Sequence, residues 1–222
     1  MRKIIFKTIF ITLGIVLILA ISAFGILSFA APKTMMQFAA SLGLDAISGD
    51  YAYQEYRRSG DIDYLAYAFE VSAVEGRAET AAERFDAFYT NEGFSDYCKE
   101  QDGADLGEDI PKVNYRSYAC ALGAVVRYKV AVTDEEKLEV YTFALSETSG
   151  EFEPSNPVCS LAVAASEAGD AAFCAVLCDN LQSEEKFDEL REQYLISDTT
   201  QYTEGFLIYL ETIDLLEEAA NE

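Results

Sequence analysis

No histidine occurs among the 222 residues of this chain, so chemistry near neutral pH falls to its carboxylates, thiols and phenols. That absence removes Ser-His and Cys-His nucleophile pairs, His-ligated zinc and the ordinary proton shuttle. There is also no glycine-rich phosphate loop with its Lys, no Gly-x-Ser-x-Gly elbow and no dinucleotide fingerprint. The 39 Asp and Glu residues leave one enzymatic route, an acid and a base flanking a scissile bond as in glycoside hydrolysis. Adjacent candidates are Asp61 with Asp63, Glu135 with Glu136, Glu184 with Glu185, and Glu217 with Glu218. Most fall at helix starts, where the positive end of the helix dipole stabilises a carboxylate without any reaction. The sequence therefore assigns no catalytic residue.

Two other sets invite chemistry. Asp102, Asp105, Glu108 and Asp109 form the densest acidic loop and have the oxygen ligands calcium requires. Their spacing lacks the alternate acids and central Gly of an EF-hand, and a solvated loop accounts for them. The five thiols, Cys98, Cys120, Cys159, Cys174 and Cys178, are odd in number and do not resemble a disulfide framework. Cys174 and Cys178 lie four apart on one helix face, yet Ala171, Leu177 and Leu181 fill their neighbourhood, which reads as small buried hydrophobes rather than metal ligands. Neither a metal nor a cofactor is assigned. Tyr51, Tyr53, Tyr56, Tyr64 and Tyr67 could line a groove for peptides or sugars, or pack half-buried with their hydroxyls in water.

The element that positions all of this is the uncharged apolar run from Thr8 to Ala31, behind Arg2, Lys3 and Lys7. Its 24 residues make a helix of about 36 Å, against a hydrocarbon core of about 30 Å. Only helix satisfies the backbone in lipid, and the run has no polar face beyond Thr8, Thr12, Ser22 and Ser28. It reads as a transmembrane helix over 8–31, with residues 1–7 held in the cytoplasm by their basic charge and residues 32–222 outside. The alternative is a cleaved signal peptide, with Ser28-Phe29-Ala30 as the small-residue site and secretion after cleavage near Ala30; the length of the run favours an uncleaved anchor. All 39 acids lie beyond residue 33, against the 12 basic residues left after Arg2, Lys3, Lys7 and Lys33, a net charge of −27. Such a surface repels nucleic acid, which is excluded as a partner.

Past the anchor, apolar residues recur at helical spacing. Ile62, Leu65, Phe69 and Ser72 line one side of a segment, Ala81, Phe85, Phe88 and Tyr89 another, Tyr115, Tyr118, Leu122, Val125 and Val126 a third, and Tyr202, Phe206, Tyr209, Ile213, Leu216 and Ala220 a last. Thr133 with Glu136 predicts a capping box, Asn156-Pro157 a helix start, and Asp198 with Gln201 the start of the C-terminal helix. The best strand pattern, Tyr128 to Val132, is better explained as a helix end. Gln101 to Lys112 is the best candidate division within the body, and Lys33 to Leu44 either continues the anchor helix or lies along the membrane surface. The expected fold is all-α.

Ser59-Gly60-Asp61 and Ala168-Gly169-Asp170 each place Gly where a helix leaves through a left-handed residue and Asp where the next needs a cap. Tyr56, Gly60, Ile62 and Leu65 then resemble a tetratricopeptide-like hairpin, and Ala165, Gly169, Ala171 and Cys174 repeat the spacing. The family's Trp and terminal Pro are missing, and the two turns are not a whole multiple of about 34 residues apart. The resemblance implies stacked antiparallel hairpins that bind protein or peptide segments in a groove. The sequence thus describes a single-pass, membrane-anchored helical interaction module rather than an enzyme. The alternatives are an exported carboxylate-dependent hydrolase and an acidic cation-binding stalk.

Overall fold

The computed structural model describes residues 13, 16–18, 22, 25, 26, 29–102, 114–149, 152, 153, 155–195 and 203–221. Among them every regular element is a helix: α1 Pro32–Ser41, α2 Asp45–Ser59, α3 Ile62–Val74, α4 Ala78–Tyr89, α5 Phe94–Asp102, α6 Tyr115–Val130, α7 Asp134–Glu147, α8 Pro157–Glu167, α9 Ala171–Ser183, a 3-10 turn Glu185–Phe187, α10 Asp188–Leu195 and α11 Glu204–Asn221. The all-α expectation holds, and Tyr128 to Val130 end α6 instead of forming a strand. The chain divides into two compact units, Met1–Glu75 and Gly76–Glu222. The division falls at a tight turn through Gly76, whose φ of 70° is left-handed, and not at Gln101 to Lys112, most of which lies outside the described residues.

Most of the apolar run over 8–31 also lies outside the described residues. Its described members from Leu13 to Ala30 are helical and exposed, from Val16 at 58% to Phe29 at 89%. Among the described residues no helix is long and apolar enough to cross a membrane. The helical path breaks at Ala31, with φ −139° and ψ 62°, and Pro32 opens α1. Pro fits there because the first turn needs no donor, so α1 is a new helix and not a continuation of the run.

In the first unit α1 packs on α2 and α2 on α3. Met35 and Ala39 of α1 bury against Tyr51 of α2. Ser48, fully buried, donates to the Met36 carbonyl at 3.1 Å or shares a 2.9 Å bond with the Tyr67 hydroxyl, so one small polar side chain links all three helices. The α2–α3 turn is as expected: Gly60 has φ 75°, and the Asp61 carboxylate accepts from the Asp63 amide at 3.1 Å. Leu65, Phe69 and Ser72 form the buried face of α3.

In the second unit α6 packs against α4, α5, α7 and α8, while α11 covers α8 and α9. The buried face of α6 differs from the expected aromatic stripe. Ala119, Cys120, Gly123 and Ala124 are buried together with Val126 of the expected stripe, whereas Tyr118 is exposed and Tyr115, Leu122 and Val125 are only half-buried. Small residues win there because α4 comes too close for larger ones: a Cβ on Gly123 would sit 2.2 Å from the Phe85 ring. The capping box of Thr133 and Glu136 is present, and Asn156 caps α8 by accepting from the Val158 and Cys159 amides. Asn156, itself buried, also accepts from the Thr148 hydroxyl at 2.9 Å, which closes the loop from α7. The C-terminal helix shows its expected face, with Phe206, Tyr209, Ile213 and Leu216 buried. Thr203 caps it, its hydroxyl accepting from the Phe206 amide at 3.3 Å; Asp198, Gln201 and Tyr202 lie outside the described residues.

Candidate functional site

The structure places the paired acids of the sequence at helix ends and on open surface. Asp61 caps α3. Glu136 accepts from the Val132 and Thr133 amides at 2.7 and 2.9 Å, and those backbone bonds hold its carboxyl below the usual value. Glu184 opens the 3-10 turn, and Glu217 accepts from Gln182 at 2.9 Å. Of the acidic loop, Asp102 accepts from the Tyr115 amide at 2.6 Å, joining α5 to the start of α6. Asp105, Glu108 and Asp109 lie outside the described residues. Among the described residues no three Cys, Asp or Glu side chains are grouped to hold a metal ion.

The densest polar cluster was not singled out in the sequence. Glu147, the last residue of α7, has a side chain only 10% exposed. It accepts from Arg116 Nε at 2.8 Å and Nη2 at 3.1 Å, and from the Tyr89 hydroxyl at 2.7 Å. Cys120 points its thiol at the same carboxylate from 3.5 Å, and Arg116 also reaches Ser95 at 3.3 Å and lies over the Phe94 ring. Burial pushes the Glu147 carboxyl up, but the bonds from Arg116 and Tyr89 and the Arg116 charge outweigh it, and the net shift is downward. Burial and the bond to Glu147 raise the Tyr89 phenol to about 12. A carboxylate held ionised by a two-pronged guanidinium accepts hydrogen bonds strongly and gives up no proton near neutral pH. The arrangement clamps α4, α6 and α7 together and lacks the raised pKa a general acid needs. One signal in the sequence marks it: an acid in the last turn of a helix opposes the dipole and calls for a nearby cation.

A second clamp joins α6, α7 and α9. Asp170 pairs with Lys137, accepts from the Tyr128 hydroxyl at 3.1 Å and caps α9 through the Phe173 amide at 3.3 Å. Burial raises its carboxyl, and the bonds from Lys137, Phe173 and Tyr128 more than offset this, so it stays below its usual value. Lys137 lies 6.0 and 5.8 Å from the Tyr128 and Phe173 ring centres, and those rings stack at 11°.

All five cysteines are free and buried. Burial raises the Cys98 and Cys159 thiols to about 11 and pushes Cys174 and Cys178 up as well. These are neutral core side chains, as the apolar neighbours of Cys174 and Cys178 led one to expect.

Two clefts remain. One, in the second unit, is lined by Asp86, Thr90, Arg127, Val130, Glu136 and Glu139 among others. Arg127 is held there by Asp86 at 2.9 and 2.6 Å and covers the Phe85 and Phe143 rings at 4.8 and 4.4 Å. Asp86 and Glu136 are thus both engaged in structure. The other cleft, about 790 Å³ in the first unit, is lined by Phe29, Ala30, Pro32, Gln54, Arg57 and Arg58. It brings Arg57 and Arg58 beside the C-terminal end of the apolar run. The chain matches no known protein family, no curated protein and no solved structure.

Proposed function

We propose that the protein is a single-pass membrane protein whose run over 8–31 anchors it in a bilayer, and that its acidic helical body, residues 32–222, is an interaction module outside the cytoplasm. The observation that carries the reading is the exposure of Leu13, Val16, Leu17, Ile18, Ile26 and Phe29, all helical and none less than 58% exposed. In water six such side chains forfeit roughly 1.5–3 kcal/mol each relative to burial, and a lipid environment removes that cost on every side of the helix at once. Phe38, Leu42, Leu44 and Ile47, exposed around the α1–α2 turn, extend the apolar surface beyond the run, as a segment resting at a membrane interface would.

The body supports the tetratricopeptide-like reading through its two Gly-Asp turns, where Gly60 and Gly169 are left-handed and Asp61 and Asp170 cap the following helix. A scaffold of capped hairpins presents side chains to a protein or peptide partner without needing a reactive group. The carboxylates argue against a hydrolase: those held below their usual pKa are engaged in structure, Glu147 and Asp170 with Arg116 and Lys137 and Glu136 with the Val132 and Thr133 amides. The anchor is tested by washing membranes that carry the full chain with alkaline carbonate. Retention in the pellet with an intact N-terminus supports the reading, and release into the supernatant refutes it.

A further inference from the structure

We propose that the cleft of Phe29, Ala30, Pro32, Gln54, Arg57 and Arg58 binds the phosphate of an anionic glycerophospholipid headgroup in the leaflet where the apolar run ends. The inference rests on the anchor reading above and adds a ligand class to it.

Between Lys7 and Arg77 the chain holds three cations, Lys33, Arg57 and Arg58. In a polypeptide of net charge −23 two of these, Arg57 and Arg58, line one cleft, while Lys33 lies over the Tyr64 ring at 5.7 Å. No carboxylate lines it among the described residues. Arg58 donates from Nη1 to the Ala30 carbonyl at 2.7 Å, which fixes its guanidinium at the end of the run and leaves Nε and Nη2 for a ligand. Arg57 makes no hydrogen bond or ion pair among the described residues, and it is exposed. Guanidiniums with planar donor forks and no carboxylate partner suit a phosphodiester.

The apolar wall completes the match. Phe29, 89% exposed, and Pro32 flank the cations, so a ligand with a phosphate at one end and acyl chains at the other fits both sides of the cleft. The volume, about 790 Å³, suits a headgroup with its glycerol. Zwitterionic headgroups would bring an ammonium that finds no acid among the lining residues, which favours a net anion. Basic residues at the end of a membrane helix attract anionic lipids in the same way, and here they offset the repulsion expected from the acidic body.

The test uses the full chain in a neutral detergent, titrated by calorimetry with dihexanoyl phosphatidylglycerol, dihexanoyl phosphatidylcholine and inorganic phosphate. Saturable binding of one phosphatidylglycerol is expected, with the other two probes at least about tenfold weaker. Arg57→Gln should weaken phosphatidylglycerol about threefold or more while leaving the melting temperature unchanged, since Arg57 holds nothing in the fold. Arg57→Gln with Arg58→Gln should weaken it about tenfold or more. Unsaturable binding, affinity unchanged in the Arg57→Gln chain, or inorganic phosphate or phosphatidylcholine binding as tightly as phosphatidylglycerol would each overturn the proposal. Because detergent binding does not require the run to span a bilayer, a chain released by carbonate that still binds through Arg57 would sink the anchor and leave the headgroup site standing.

Discussion

The Glu147 clamp makes a prediction whose sign depends on which partner is removed. Glu147 is the buried member, 10% exposed, and Arg116 is 41% exposed. Glu147→Ala leaves a guanidinium that rehydrates easily and a Tyr89 hydroxyl that loses one bond, so the cost is about 2–3 kcal/mol, below the range for fully buried pairs. Arg116→Ala instead strands a carboxylate among buried side chains and should cost more, about 3–5 kcal/mol at pH 7. For a chain of this size these losses lower Tm by roughly 2–4 °C per kcal/mol, measured by far-UV circular dichroism of the full chain in neutral detergent. The pH dependence separates the two further. In the wild type the folded pKa of Glu147 lies below its ordinary 4.5, so its contribution is complete above 4.5 and is lost as pH falls through the folded value. In Arg116→Ala burial is opposed only by the bonds from Tyr89 and Cys120, so the folded pKa rises and the variant should recover stability relative to wild type as pH falls. A Glu147→Ala cost equal to or larger than that of Arg116→Ala, or a deficit of Arg116→Ala that stays flat with pH, would refute the reasoning.

Other substitutions test the packing and the second clamp. Gly123→Ala drives a methyl group into the Phe85 ring, which is enclosed by Tyr89, Phe143 and Arg127, and should cost about 1–3 kcal/mol in thermal unfolding; an unchanged Tm would mean α4 and α6 separate freely. Asp170→Asn keeps the helix cap but strips Lys137 of its counter-charge, with both side chains about one-fifth exposed, and should lower stability by about 1 kcal/mol at pH 7. The wild-type advantage should fade as pH drops below 3.8, the ordinary value from which Asp170 is lowered; an advantage that persists there would place the effect in packing rather than charge. The native chain should be inert to a thiol reagent such as DTNB and release five equivalents once unfolded in guanidinium. Rapid reaction of any thiol in the native chain would contradict its burial.

What was legible in the sequence was local. Thr133 with Glu136, Asn156-Pro157 and the two Gly-Asp turns each satisfy their own backbone within four residues, so their residue types suffice. The stripe from Phe206 to Leu216 was equally plain because large apolar side chains mark one face. The face of α6 was not: Ala119, Gly123 and Ala124 carry a weak hydrophobic signal, and the bulky Tyr115, Tyr118 and Leu122 beside them pointed to the wrong side. Only the approach of α4 to Gly123 decides it. The Glu147 clamp and the cleft at Arg57 and Arg58 each join residues far apart in sequence, Tyr89 with Glu147 and Ala30 with Arg58, and no local spacing encodes them. The tight turn at Gly76 lacked the Pro, Gly and acid cluster that drew attention to Gln101 to Lys112.

The most direct test of an anchored, outward-facing body uses the burial of every native thiol. Val132 is 86% exposed, so Val132→Cys supplies one reactive site on a silent background. Whole cells carrying this full-length variant are treated with a membrane-impermeant fluorescent maleimide, and the carbonate-washed membranes are then read on a gel. The account predicts a labelled band in the membrane pellet from intact cells. Labelling that appears only after the cells are broken, or label recovered in the carbonate supernatant, would contradict it.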